Sequence, residues 1–281
     1  MSETPSSYAH PGLLVDATEL VELLAGGEPP VLLDLRPAEA YAAGHIPGAA
    51  HLDLFGLSLI DTDPAPLAAF AWMIGHLLAS RGVESDRTVV VYDEQSGIRA
   101  ARAFWFLEFF AHSGPRLLDG GFGAWGEAGG EITTVANAPR ATKWVPGRDD
   151  GTLATWQDLR DCLGSSEVAV LDTRSDGEYC GTTVRAARGG AVPGAVHIEW
   201  KQNLDDRGRF KSGEALRAMY ESAGITAERE IVTYCQGGYR AAHSYLALRL
   251  LGFPRVRNYI GSWKEWGDRM DLPIEQPTPR E

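Results

Sequence analysis

Cysteine is scarce in this sequence. Cys162, Cys180 and Cys235 are the three present among 281 residues, an odd number with no CxxC pair. Neither a disulfide framework nor a zinc site follows from them, no metal is expected, and a reducing compartment fits best. Positive charge is also in short supply. Lys and Arg number 26 against 38 Asp and Glu, a net charge of −12, which argues against nucleic acid or an anionic membrane as partner, since both reward clustered cations. Any anion site must therefore be local. The longest uncharged stretch, 64–80, holds two prolines, Gly75 and His76. It falls short of the ~20 apolar residues that span a bilayer and reads as a buried helix. The opening residues, Met1 to Gly12, have neither the basic start nor the apolar run of a secretory signal, so a cytoplasmic location is expected.

What remains is an ordinary globular composition, 44% hydrophobic and 23% charged, which excludes disorder, collagen and coiled coil as global descriptions. The chain also repeats itself. Val31-Leu32-Leu33-Asp34-Leu35-Arg36 leads to Pro47-Gly48-Ala49 and His51, and Ala169-Val170-Leu171-Asp172-Thr173-Arg174 leads to Pro193-Gly194-Ala195 and His197. The second copy carries an insertion within Cys180 to Ala191. Further on, Val89 to Asp93 matches Glu230 to Cys235, Arg99-Ala100-Ala101 matches Arg240-Ala241-Ala242, and Trp125-Gly126 matches Trp266-Gly267. Two copies of one module are present. Short apolar runs alternate with helical patterns such as Leu216, Met219, Tyr220, which indicates an α/β fold with two tandem domains, each an open, mostly parallel sheet flanked by helices. The expected division is 1–135, a linker over 136–150, and 151–281.

The segment Ile231 to Ala242 reads as strand, tight loop and helix, the helix ending at Gly252. Cys235 then stands at the C-terminal end of a parallel strand, where open α/β sheets place their ligand sites. Gly237 and Gly238 let the backbone turn successive N–H groups inward. The helix N-terminus adds partial positive charge and Arg240 a formal one. Such a ring lowers the pKa of a thiol and stabilises an anion carried on its sulfur. The first copy has Asp93 where the thiol would be, in a loop one residue longer, and a carboxylate cannot accept sulfur.

These residues, the Asp-x-Arg strand ends, the Pro-Gly-Ala turns, the Cys-x4-Arg loop and Gly261 to Trp266 together resemble the tandem-domain rhodanese sulfurtransferases over nearly the whole chain. The resemblance implies that Cys235 takes a sulfane sulfur from a small anionic donor such as thiosulfate, holds it as a persulfide and passes it to a thiophilic acceptor such as cyanide. It implies that Gln236, Gly237, Gly238, Tyr239 and Arg240 form the cradle, that the first half is catalytically silent, and that no cofactor takes part. The loop looks closer to bacterial rhodaneses beginning Cys-Gln than to the mercaptopyruvate or animal thiosulfate enzymes. Mercaptopyruvate as donor, a persulfide-carrier module serving a sulfur-accepting protein, and a Cys/Arg phosphatase are the alternatives. The related phosphatases carry Cys-x5-Arg, wider than the span from Cys235 to Arg240, which favours sulfur over phosphate.

Glu178 stands where many tandem enzymes place an Arg that contacts the donor. Arg185 or Arg188, in the insertion, is a candidate for restoring that charge. Arg174 is either a strand-end partner of Asp172 or a second substrate contact. Cys162 reads as core, Cys180 as a residue near the site without a role, and His45, His51 and His197 as structural. His243 is left open, and Trp200, Trp263 and Trp266 read as core or pocket wall.

Overall fold

The computed structural model describes residues 7–278, so the two ends of the expected domains, 1–6 and 279–281, lie outside it. In the first half the strands are β1 (Leu14–Val15), β2 (Val31–Asp34), β3 (Ala50–His51), β4 (Val89–Tyr92) and β5 (Pro115–Leu118). The helices between and after them are α1 (Ala17–Ala25), α2 (Ala38–Ala43), α3 (Pro64–Ala79), α4 (Ile98–Phe109) and α5 (Gly121–Glu127). The second half repeats this order with β6 (Leu153–Ala154), β7 (Val168–Asp172), β8 (Val196–His197), β9 (Glu230–Tyr234) and β10 (Val256–Tyr259). Its helices are α6 (Trp156–Asp161), α7 (Asp176–Tyr179), α8 (Gly213–Ser222), α9 (Tyr239–Leu250) and α10 (Ser262–Trp266). Both sheets are parallel throughout, ordered β1-β5-β4-β2-β3 and β6-β10-β9-β7-β8. The α/β class and the duplication read from sequence are the observed architecture.

The central strands are buried along their length except at Glu230, the first residue of β9, as strands covered by helices on both faces must be. Between the sheets, α4 and α9 pack against each other, and residues from both join one hydrophobic core. Almost every position of α9 is buried, although it carries His243, Ser244 and Tyr245. It stops at Leu250, and Gly252 follows at φ +80°, the left-handed conformation that glycine adopts without strain. The uncharged stretch 64–80 does form a helix, but α3 buries one face only: Leu67, Ile74 and Leu78 are covered while Trp72 is 72% exposed. Residues 130–149 contain no helix or strand, yet they are docked. Thr142 N–H donates to Ala79 O at 2.9 Å, Asp149 N–H to Phe109 O at 2.7 Å, and Trp144 meets Phe110 edge-on.

Each sheet carries the same buried ion pair. Arg36 binds the Asp34 carboxylate through Nε and Nη2 (3.0 and 2.6 Å) and Arg174 binds Asp172 likewise (2.9 and 2.5 Å). Each Nη2 also reaches a loop carbonyl, of Gly44 or Gly190, at 2.7 Å. Arg174 is thus a strand-end partner, and the alternative reading of it as a substrate contact is corrected: its guanidinium, 1% exposed, is spent on Asp172 and Gly190 and lies against Trp263.

Removing one member of such a pair strands a charge in the interior. Asp172→Ala is expected to cost about 3–5 kcal/mol in denaturant unfolding, whereas Asp161→Ala at the exposed Arg160–Asp161 pair costs under about 1 kcal/mol. Equal losses would show that the Asp172 pair adds nothing beyond a surface contact.

Candidate active site

Strand β9 ends with Tyr234 in register with Asp172 of β7, and the chain turns at once through Cys235, Gln236, Gly237 and Gly238 into α9. Gly238 takes φ +82°, and a Cβ there would press on the carbonyl of Ile260 at 2.9 Å, so the tight turn requires glycine. The outer side of the loop is held by the start of α10. Trp263 N–H donates to Cys235 O and Lys264 N–H to Gln236 O, at 2.9 and 3.0 Å. Ser262 Oγ accepts from the amides of Cys235 and Gly238, both at 3.1 Å, and donates to Tyr259 O.

With those groups engaged outward, the amides of Ala241, Gly237 and Arg240 are the ones left to bear on the Cys235 sulfur. Cys235 is 1% exposed. Burial opposes its ionisation, but the Arg240 charge and the three amides prevail and hold the thiol below its ordinary pKa. The structure therefore brings together the loop residues Cys235 to Arg240 around one anion-stabilising point.

Arg240 is not free. Its guanidinium forks onto Glu178, Nη1 to Oε2 at 2.6 Å and Nη2 to Oε1 at 2.9 Å. Glu178 is placed by α7, whose capping box ties it to Ser175. Burial favours the protonated carboxyl, yet the Arg240 hydrogen bonds and charge bring Glu178 down to about 2. The residue read as a missing donor contact is instead the buttress of the loop's arginine. Arg188 is corrected too. It does not line the cavity but donates to the carbonyls of Trp266, Gly267, Arg269 and Leu272, fastening the insertion to the end of α10. Arg185 does face the cavity, and its carbonyl accepts from Gln236 Nε2 at 2.8 Å.

In front of Cys235 lies a cavity of about 390 Å³. One wall is the second half's loop with Arg185 and Lys264, and the other is the first half's Phe55, Ile60 and Ile98. The segment carrying Phe55 and Ile60 is held at both ends by the second half. Tyr239 Oη donates to Leu54 O at 2.8 Å and accepts from Gly56 N–H at 2.9 Å. Thr62 donates from its amide and hydroxyl to the Glu265 carboxylate, at 2.6 and 2.9 Å. Sequence reading missed this wall, Ser262 and the Glu178 fork. The Gly-Ser-Trp at the start of α10 was a visible signal for Ser262; the other two depend on elements distant in the chain.

The equivalent loop of the first half is filled from within. Asp93 accepts from the amides of Gly97, Arg99 and Ala100 at 2.9, 3.1 and 3.2 Å, and burial, outweighing those amides, pushes its carboxyl up to about 6. Ser96 N–H of this loop donates to Gly208 O, so a turn of the second half seats on it. Arg99 points away, to Asp53 at 2.6 Å and over Phe55. The remaining candidates do not line the cavity. His45, His51 and His197 each face a backbone carbonyl, and Cys162 and Cys180 are half-buried at helix ends. Trp263 and Trp266 are core.

The family model described as "Rhodanese-like domain" matches twice, over residues 16–128 and 155–269. A thiosulfate sulfurtransferase of Pseudomonas aeruginosa is 35% identical over 273 residues, 94% of this chain and 97% of that protein. The sulfur carrier protein TtuD of Thermus thermophilus is 37% identical over 282 residues, 95% of this chain and 98% of that protein. An anaerobic ergothioneine biosynthesis enzyme from Chlorobium limicola, solved with trimethyl histidine, shares the fold with a TM-score of 0.84 at 23% identity, over 97% of this chain and 72% of that one.

Because the first half's loop is longer and already occupied, a thiol alone does not convert it. The double variant Cys235→Ala, Asp93→Cys is expected to show background sulfur transfer only; wild-type rates in it would mean that the loop, and not the residue, is equivalent in the two halves.

Proposed function

The chain belongs to the rhodanese family, and on that premise we propose that it is a sulfurtransferase that moves the sulfane sulfur of thiosulfate to a thiophilic acceptor such as cyanide through a persulfide on Cys235. The observation that carries this reading is the set of amides from Gly237, Arg240 and Ala241 that bear on one buried thiol. Hydrogen bonds to a charged group contribute about 1.5–3 kcal/mol each, enough together to hold an anionic sulfur out of water.

In the first step the Cys235 thiolate attacks the outer sulfur of thiosulfate. The S–S bond of the donor breaks, sulfite leaves with the electron pair, and Cys235 keeps the transferred atom as Cys–S–S⁻. In the second, the acceptor attacks that terminal sulfur and Cys235 departs as thiolate. Charge is conserved in both displacements and no proton is moved once the thiol is ionised. Gln236, Gly237, Gly238, Tyr239 and Arg240 supply the cradle, and Arg185 and Lys264 supply positive charge at the mouth for the donor's sulfonate oxygens. The distance from Cys235 to Arg240 in sequence favours sulfur over phosphate. No cofactor enters this reaction, and the cytoplasm is the expected location.

A second reading, a carrier that hands its persulfide to another protein, is favoured by one feature. Phe55 and Ile60 are 55% and 60% exposed beside the cavity, an apolar rim that neither thiosulfate nor cyanide needs.

Thiocyanate formation from thiosulfate and cyanide is expected to disappear in Cys235→Ser and to persist in Cys162→Ala, Cys180→Ala. Persistence in the serine variant would end the proposal. Mercaptopyruvate assayed beside thiosulfate separates the two donors. A one-sulfur mass gain on Cys235 without turnover of either would establish the carrier instead.

A further inference from the structure

Helices α4 and α9 are both twelve residues long and correspond residue for residue, so Arg102 and His243 occupy the same place in the two halves. Both are wholly buried, and each reaches the loop of the other half. His243 Nε2 lies 2.8 Å from the Ser96 carbonyl, in the Asp93 loop. Arg102 stacks on the ring of Tyr239, in the Cys235 loop, 3.8 Å from its centroid.

The two differ in charge. Burial pulls His243 down to about 4, so the residue facing the carboxylate loop is neutral. The residue facing the thiol loop is a guanidinium. Its Nε and Nη2 have no hydrogen-bond partner, its Nη1 has only a long contact of 3.5 Å to Leu54 O, and it forms no ion pair with a carboxylate among the described residues. A cation buried in this way is costly unless an anion lies near it. Besides the Tyr239 ring the guanidinium faces the Phe106 ring, 5.1 Å from its centroid, and neither carries a charge; the acidic groups in its surroundings are the Tyr239 phenol and the Cys235 thiol. The phenol gives its proton to Leu54 O, which leaves the sulfur. Meanwhile the two other guanidinium groups near the cavity, Arg240 and Arg185, both meet Glu178, at 2.6 and 3.5 Å.

We propose that Arg102, supplied by the first half, is the counter-charge of the Cys235 thiolate and of the persulfide that replaces it: a positioning residue acting across the domain interface, not a substrate contact. This rests on Cys235 being the sulfur-accepting thiol. The other charged groups around that sulfur are Arg240, with Glu178 and Asp172 behind it, and Arg185 and Lys264 in the cavity. All of these stay in place when Arg102 is changed.

The test uses the full chain carrying Cys162→Ala and Cys180→Ala, so that iodoacetamide reports Cys235 alone, with the alkylation rate followed against pH by intact mass. In Arg102→Gln the midpoint is expected to rise by about one unit, making alkylation below it about tenfold slower. Arg102→Lys keeps most of the wild-type profile, and Glu178→Gln, which releases Arg240, moves it to lower pH. Circular dichroism establishes folding first. Where the glutamine variant does not fold, Arg102→His, the other half's own residue at this place and neutral above about pH 7, must give the same upward shift in that range. A folded neutral variant with the wild-type profile overturns the proposal, as does a lysine variant displaced as far as glutamine. Alkylation needs no sulfur donor, so a chain that titrates as expected but transfers no sulfur overturns the sulfur-transfer reading alone.

Discussion

Everything at the Cys235 end of this molecule answers to one constraint: a sulfur anion taken out of water must be given its solvation by the protein. The chain meets it with main-chain amides, which cost no side-chain entropy and are fixed by the strand-loop-helix geometry. That geometry is itself maintained from outside, by Ser262 and the first amides of α10 gripping the loop's outward groups. Formal charges are then placed around the amides. Arg240 is held to a defined position by Glu178, at the expense of part of its field.

The duplication makes the design readable by internal comparison. The segment following β3 lies across the loop of the second half, and the segment following β8 lies across the loop of the first. On the Asp93 side the cover is seated, with Gly208 O bonded to Ser96 N–H and Phe210 N–H bonded to Asp119. On the other side Tyr239 ties the cover at Leu54 and Gly56, and Arg269, Glu265 and Trp156 tie it again from Asp61 to Asp63; the space left between the two sets of ties is the cavity. One architecture has thus been closed in one copy and kept open in the other by changes in a handful of contacts.

The fold class, the repeat, the strand-loop-helix unit and the single thiol in a Cys-x4-Arg setting were legible in the sequence because each is a local pattern: an apolar run, a glycine pair, an arginine at the start of a helix. The misreadings share the opposite character. Arg188 looked like a free cation, but it is bound to four carbonyls at the far end of α10, distant in the chain. Glu178 looked like a lost contact because its partner lies 62 residues along the chain. The apolar wall from the first half, and the place of Arg102 behind Tyr239, arise only when two separately folded sheets dock. A charged side chain announces its type in sequence, but its counter-ion is a property of tertiary structure.

Asp93 carries a consequence for dissolved anions. A carboxylate attached to the same loop as the amides it satisfies is present at an effective concentration that a dissolved oxyanion does not approach. A dissolved inorganic anion would therefore have to displace the Asp93 carboxyl to reach the amides of that loop, whereas at the Cys235 loop a thiol stands in the same place. Despite its internal repeat the molecule presents its two loops to such an anion unequally, one of them already satisfied by a covalently tethered carboxyl.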